Sequence, residues 1–219
     1  MMGCRRLARL TPVAGLALAI LGHGCEDQEP VPPRPAEPVT STQFRFKAFT
    51  SAPAVDGGEI ALRDLRGKVV VLHLFGTWSP ACRRTAPIMV SVYERYRSQA
   101  FELVGLAYER TDDRRQARET VRAFRDEFKI PFPLALGPEG LWRELGEAVE
   151  VSRRLPTIVL MDRQGAVRTV FQDLPPGYEQ VLAERIERLL AEPDASRPGS
   201  VPAPSGPTDR AVAAEPDAG

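Results

Sequence analysis

Residues 69–82 read Val69-Val70-Val71-Leu72-His73-Leu74-Phe75-Gly76-Thr77-Trp78-Ser79-Pro80-Ala81-Cys82. The first seven are almost wholly apolar and rich in β-branched side chains. Such a run reads as a central strand buried on both faces. Pro80 suits the first turn of a helix, because its missing N–H is one that a helix start leaves unpaired anyway. Ile88, Met89, Val92, Tyr93 and Tyr96 then recur at helical spacing.

Outward from this stretch the pattern alternates. Residues 101–108 read as a second strand. Thr111-Asp112-Asp113 is a helix start, followed by an apolar stripe of Ala117, Val121, Phe124 and Phe128 that Pro131 ends. Residues 132–136 read as a short strand and 141–149 as a short helix. A third strong strand covers 157–161, the turn Asp162-Arg163-Gln164-Gly165 follows, and 167–171 return as a hairpin. A last amphipathic helix spans 178–190, with Val181, Leu182, Ile186, Leu189 and Leu190 inward. This order predicts an α/β domain over 44–191: a central mixed β-sheet with helices on both faces, preceded by an extra N-terminal β-hairpin within 44–62.

The flanks read differently. Arg5, Arg6 and Arg9 precede an uncharged apolar run at 10–21, too short to span a bilayer as a helix, which needs about 20 residues. Residues 1–24 therefore read as a signal peptide. Gly24-Cys25 resembles the bacterial lipobox, in which the cysteine carries the lipid. Leu21 stands one position early for that motif, and Gly22 and His23 fill the intervening places. The alternative is an exported chain with a free Cys25. Residues 25–43 carry Pro30, Pro32, Pro33, Pro35 and Pro38 and read as a semi-rigid, lipid-anchored linker. Residues 192–219 are rich in Pro, Ala, Gly, Ser and Asp and read as a disordered tail. The expected location is the cell envelope or periplasm, with the chain held to a membrane at Cys25.

Composition narrows the function. With 29 basic and 29 acidic side chains and a net charge of zero, the chain lacks the basic excess of a nucleic-acid binder. Three cysteines, Cys4, Cys25 and Cys82, make no disulfide framework. One histidine and one cysteine in the domain cannot build a structural zinc site, so no metal and no cofactor are expected.

The segment from Gly67-Lys68 to Cys82 resembles the active-site region of exported thioredoxin-like proteins, the TlpA/ResA group of thiol–disulfide oxidoreductases related to the AhpC/TSA redoxins. That group carries Trp-Cys-Pro-x-Cys opening a helix. Leu155-Pro156-Thr157 lies where the family has its cis-proline loop, and the Ile130-Pro131-Phe132-Pro133 region resembles the family's insertion. The resemblance covers about 44–191. It implies a thioredoxin-like fold, a cis Pro156 facing the 79–82 turn, and a groove framed by Trp78, Pro80, Pro156 and Thr157. The partners it implies are exported protein thiols or disulfides, or an extended client peptide.

Ser79 stands where the family has its first cysteine. Thiol–disulfide exchange needs a thiolate attacker, and a serine hydroxyl neither ionises at neutral pH nor forms a disulfide. The resemblance therefore implies lost or altered dithiol activity, with Cys82 at the second, resolving position. Two other readings stand beside it. Ser79-x-x-Cys82 resembles the Thr/Ser-x-x-Cys of peroxiredoxins, which would make Cys82 the thiol of a one-cysteine peroxidase, with Arg153 or Arg154 beside it. Phe75 stands where that family expects proline. The third reading is a non-catalytic client-binding module. His73 falls where thioredoxins keep a buried acid that exchanges protons with the second cysteine. It reads either as that proton carrier or as a neutral, hydrogen-bonded core histidine.

Overall fold

A computed structural model describes residues 44–149 and 151–193. The expected signal peptide (1–24), the expected lipid-bearing Cys25, the expected linker (25–43) and residues 194–219 of the expected tail (192–219) lie outside the described residues.

Strands β1 (Ser51–Pro53) and β2 (Glu59–Ala61) pair antiparallel as the expected hairpin, and a single 3-10 turn follows at Leu62–Leu65. The main sheet contains β3 (Val69–Phe75), β4 (Phe101–Ala107), β5 (Leu134–Leu136), β6 (Thr157–Met161) and β7 (Val167–Phe171), in the order β5-β4-β3-β6-β7. β3, β4 and β5 run parallel, while β6 and β7 are antiparallel to their neighbours. The helices are α1 (Pro80–Tyr96), α2 (Arg114–Phe128), α3 (Glu139–Val149) and α4 (Tyr178–Ala191). The mixed sheet with helices on both faces is thus present, and element ends differ from expectation by one or two residues. Two ends have visible causes. The Gly105 N–H donates to the Pro133 carbonyl, which aligns β5 to begin at Leu134. Asp113 caps α2 by accepting from the backbone N–H groups of Arg115 and Gln116 at 2.8 and 3.2 Å.

β3 is buried along its whole length because both its faces are covered. Val69, Val71 and Phe75 face one apolar cluster with Cys82 and Met89 of α1, Phe124 of α2 and Leu182 of α4. Val70, Leu72 and Leu74 face a second cluster with Phe49 and the Leu141 and Leu145 side chains of α3. The period-2 alternation of a strand makes this division unavoidable. In the 162–165 turn, Gly165 adopts a φ of 77°, which favours glycine, and the Asp162 carboxylate accepts from the N–H groups of Gln164 and Ala166. Past the end of α4, Arg168 pairs with the Glu192 carboxylate at 3.0 Å, and Arg163 donates to the Glu192 carbonyl.

Glu144 on α3 does work that no local pattern announces. Its carboxylate accepts from three consecutive backbone N–H groups, those of Lys47, Ala48 and Phe49, at 2.5, 2.9 and 2.7 Å. Charge-assisted bonds of this kind pin the N-terminal segment to the domain.

Candidate functional site

The site forms where β3 gives way to α1. Ser79 is the N-cap of α1, in extended backbone, and its hydroxyl accepts from the Cys82 N–H at 3.4 Å. Pro80 follows at the first helical position and is exposed. One turn on, Cys82 points back under the sheet end. It is 0% exposed, packed within the cluster of Phe75 and Met89. The Gly76 N–H donates to its Sγ at 3.5 Å. Burial pushes the Cys82 thiol up, away from the thiolate, and the nearby Glu109 carboxylate adds to the rise. Hydrogen bonding to Ser79 and Gly76 opposes it without cancelling it. Cys82 is the one cysteine among the described residues and is unpaired.

Gly76 is a site residue that the sequence reading passed over. Its carbonyl accepts from the Ser79 N–H at 3.0 Å, so it touches both ends of the 79–82 turn. A Cβ there would lie 2.6 Å from Trp78 Nε1 and 3.1 Å from the Tyr108 carbonyl, so only glycine fits. Trp78 is held by its Nε1–H, which donates to the Tyr108 carbonyl at 3.0 Å, and the Arg110 guanidinium lies 3.6 Å from its ring centroid. The ring is 40% exposed, the only large apolar side chain so exposed among the described residues. Thr77 is tied down through its N–H and its hydroxyl, both donating to Glu109.

His73 lies on β3, on the α1 side, 2% exposed and stacked on Phe75 at 5.4 Å. Burial depresses its pKa to about 3, which keeps the imidazole neutral. Its Nε2 is 3.3 Å from the Thr85 hydroxyl, which itself donates to the Cys82 carbonyl at 3.0 Å. Thr85 has one hydroxyl proton and spends it on that carbonyl, so His73 is the donor in the pair. The route from His73 thus reaches the backbone of Cys82 rather than its sulfur.

The Leu155–Pro156 peptide is cis. Pro156 lines a cleft of about 290 Å³ whose opposite wall is Ala81, Arg84, Thr85 and Ile88 of α1. The cis proline therefore does lie against the first turns of that helix. The other expected groove residues are placed differently. Thr157 is fully buried, its hydroxyl donating to the Arg154 carbonyl and accepting from Gln172, so its side chain faces inward. Trp78 and Pro80 do not line this cleft. Neither arginine stands at the thiol: Arg153 makes a two-point pair with Glu139 at 2.5 and 2.7 Å, and Arg154 pairs with Asp173 at 2.6 Å. Among the described residues no group of three or more His, Cys, Asp or Glu is placed to hold a metal ion.

Similarity to known proteins agrees with this geometry. The AhpC/TSA family profile matches residues 44–170. The thiol-disulfide oxidoreductase ResA of Halalkalibacterium halodurans is 31% identical over 136 residues, 62% of this chain and 70% of its own. The ResA of Bacillus thuringiensis is 27% identical over 139 residues, covering 62% and 67%. Among solved structures, a thiol-disulfide isomerase from Corynebacterium glutamicum superposes with a TM-score of 0.56 at 25% identity, over 70% of this chain and 98% of the other. With a thioredoxin-like sheet, a cis proline against the site helix and a family match over more than half its length, the chain belongs to the AhpC/TSA family, among its thioredoxin-fold thiol–disulfide oxidoreductases.

Proposed function

We propose that this chain is an exported, membrane-tethered thioredoxin-fold protein that has lost dithiol chemistry and holds an extended client in the cleft between α1 and Pro156. One observation carries the reading: the sole cysteine of the described domain is sealed in the core, and the helix N-cap before it is a serine. Dithiol exchange needs one sulfur to attack and a second to resolve the mixed disulfide. Ser79 Oγ can do neither, while as an N-cap it keeps the turn in place. The cleft survives this loss, and it offers apolar walls at Ile88, Leu155 and Leu174 beside the charges of Arg84 and Asp173. Tethering is supported by the N-terminal sequence, with its basic start, short apolar run, Cys25 and proline-rich linker.

A one-cysteine peroxidase draws no support from the site. It requires an accessible thiolate, whereas Cys82 is buried with its ionisation suppressed, and both candidate arginines are committed to carboxylates.

The test is binding of an extended-peptide display library. Selected peptides should bind Cys82→Ala as tightly as wild type and lose affinity for Ile88→Arg. Peptide held as a reductant-sensitive disulfide, or lost on Cys82→Ala in a folded protein, would return the function to the thiol. For the tether, Cys25→Ala should move the chain from the membrane to the soluble exported fraction; unchanged membrane association would count against it.

A further inference from the structure

At the end of β3 remote from the 79–82 turn, a groove of about 280 Å³ opens between the N-terminal segment, the 3-10 turn and the 162–165 turn. Phe46, Leu62 and Met161 line it with apolar surface, and Arg45, Arg63 and Arg66 stand around it. Arg45 and Arg66 have no side-chain hydrogen bond or ion pair among the described residues. Arg63, 73% exposed, meets Glu59 and Asp64 only at 3.7 and 3.5 Å. The segment carrying Arg45 and Phe46 is fixed in place, since Glu144 grips the three N–H groups that follow and the Phe44 carbonyl accepts from the Val167 N–H at 2.8 Å. Guanidinium groups held around an apolar floor, without carboxylates to neutralise two of them, complement an anionic amphiphilic surface.

We propose that this face docks on an anionic phospholipid bilayer. The choice of a membrane as partner rests on the tethered reading: the polypeptide leading back to Cys25 joins the domain at Phe44, on the same face as the groove. A tether raises the local concentration of lipid, so a weak surface contact is enough to orient the domain. β3 then stands away from the membrane. Its seven residues separate this groove from the 79–82 turn by roughly 23 Å at about 3.3 Å per residue, which leaves the client cleft facing outward.

The experiment uses residues 25–219 carrying Cys25→Ala, the exported chain without its leader or a lipid, and phosphatidylcholine vesicles with and without phosphatidylglycerol. Co-sedimentation should appear only with the anionic lipid and fade as salt screens it. Arg45→Gln with Arg66→Gln should weaken partitioning about fivefold for each arginine lost. Arg114→Gln with Arg115→Gln, an equal charge change at the start of α2, should leave it unchanged. Absence of binding to phosphatidylglycerol vesicles, or equal loss in the two double variants, would overturn the proposal. Displacement from vesicles by an acidic peptide well below the lipid concentration would also overturn it, by assigning the face to a protein. None of these outcomes bears on Cys25 itself, whose role is read separately from the fractionation of the Cys25→Ala chain.

Discussion

Gly76→Ala tests whether the site is built around one backbone position. The new methyl carbon would sit 2.6 Å from Trp78 Nε1, 2.8 Å from Trp78 Cε2 and 3.1 Å from the Tyr108 carbonyl oxygen. The carbonyl belongs to the chain just past β4, whose N–H is bonded to Phe75 at 2.7 Å, and cannot retreat. The indole must therefore swing out. Overpacking of this kind costs about 1–3 kcal/mol, and the lost indole–carbonyl hydrogen bond adds about 0.5–1.5 kcal/mol. A loss of about 2–4 kcal/mol corresponds to a fall in Tm of roughly 5–12 °C for a domain of this size. Gly140→Ala is the control. It lies in the first turn of α3 with nothing within 4 Å of the added carbon, and it should be neutral or slightly stabilising. The assay is thermal melting, with the tryptophan emission spectrum reporting the indole. An unchanged Tm and emission for Gly76→Ala would refute the close packing described at this turn.

Three further outcomes follow from the same geometry. The native state keeps His73 neutral down to about pH 3, while the unfolded chain takes a proton below about 6.5. Its contribution to stability is therefore whole above pH 6.5 and drains as pH falls toward 3, by up to ~1.4 kcal/mol per unit. His73→Leu should flatten the dependence of Tm on pH in that window; parallel curves would contradict it. Ser79→Ala removes the N-cap and should cost about 1 kcal/mol in a denaturant melt, with a Cys82 still slower to alkylate; unchanged stability would show that the cap contributes nothing. Glu144→Gln leaves one acceptor for three backbone donors, and the amides of residues 47–49 should exchange with solvent at least about tenfold faster, given ~1.5–3 kcal/mol for bonds to a charged group. Unaltered exchange would mean that the segment is held by other contacts.

Strands and helices were legible because each has a period. The unbroken apolar run of β3 and the spaced stripe of α2 state their burial in local sequence. Ser79, Cys82 and Pro156 are singled out only by a family resemblance, since nothing local says that Pro156 packs against the first turns of the helix that Ser79 caps. Gly76 was overlooked because glycine after a strand is ordinary, and only the position of the Trp78 ring shows that a methyl group has no room. Glu144 looked like any exposed helix acid; its partners lie 95–97 residues away. Arg153 and Arg154 were candidates from their position before Pro156, and the carboxylates that occupy them, Glu139 and Asp173, come from other elements. The resemblance puts Thr157 in the groove, whereas its side chain is fully buried with its hydroxyl donating to the Arg154 carbonyl, a contact that local sequence does not announce.

On the proposed reading the site keeps its frame and lacks one sulfur. Reductant-driven insulin reduction, run on wild type and on Ser79→Cys with a thiol count before and after oxidation, tests it most directly. Position 79 is the N-cap of α1, where the positive end of the helix favours a thiolate, and Cys82 lies one turn along. Wild type should show no turnover above the uncatalysed rate, and Ser79→Cys should close a disulfide and turn over. Turnover by wild type, or a folded Ser79→Cys that keeps both thiols free under oxidation, would contradict the account.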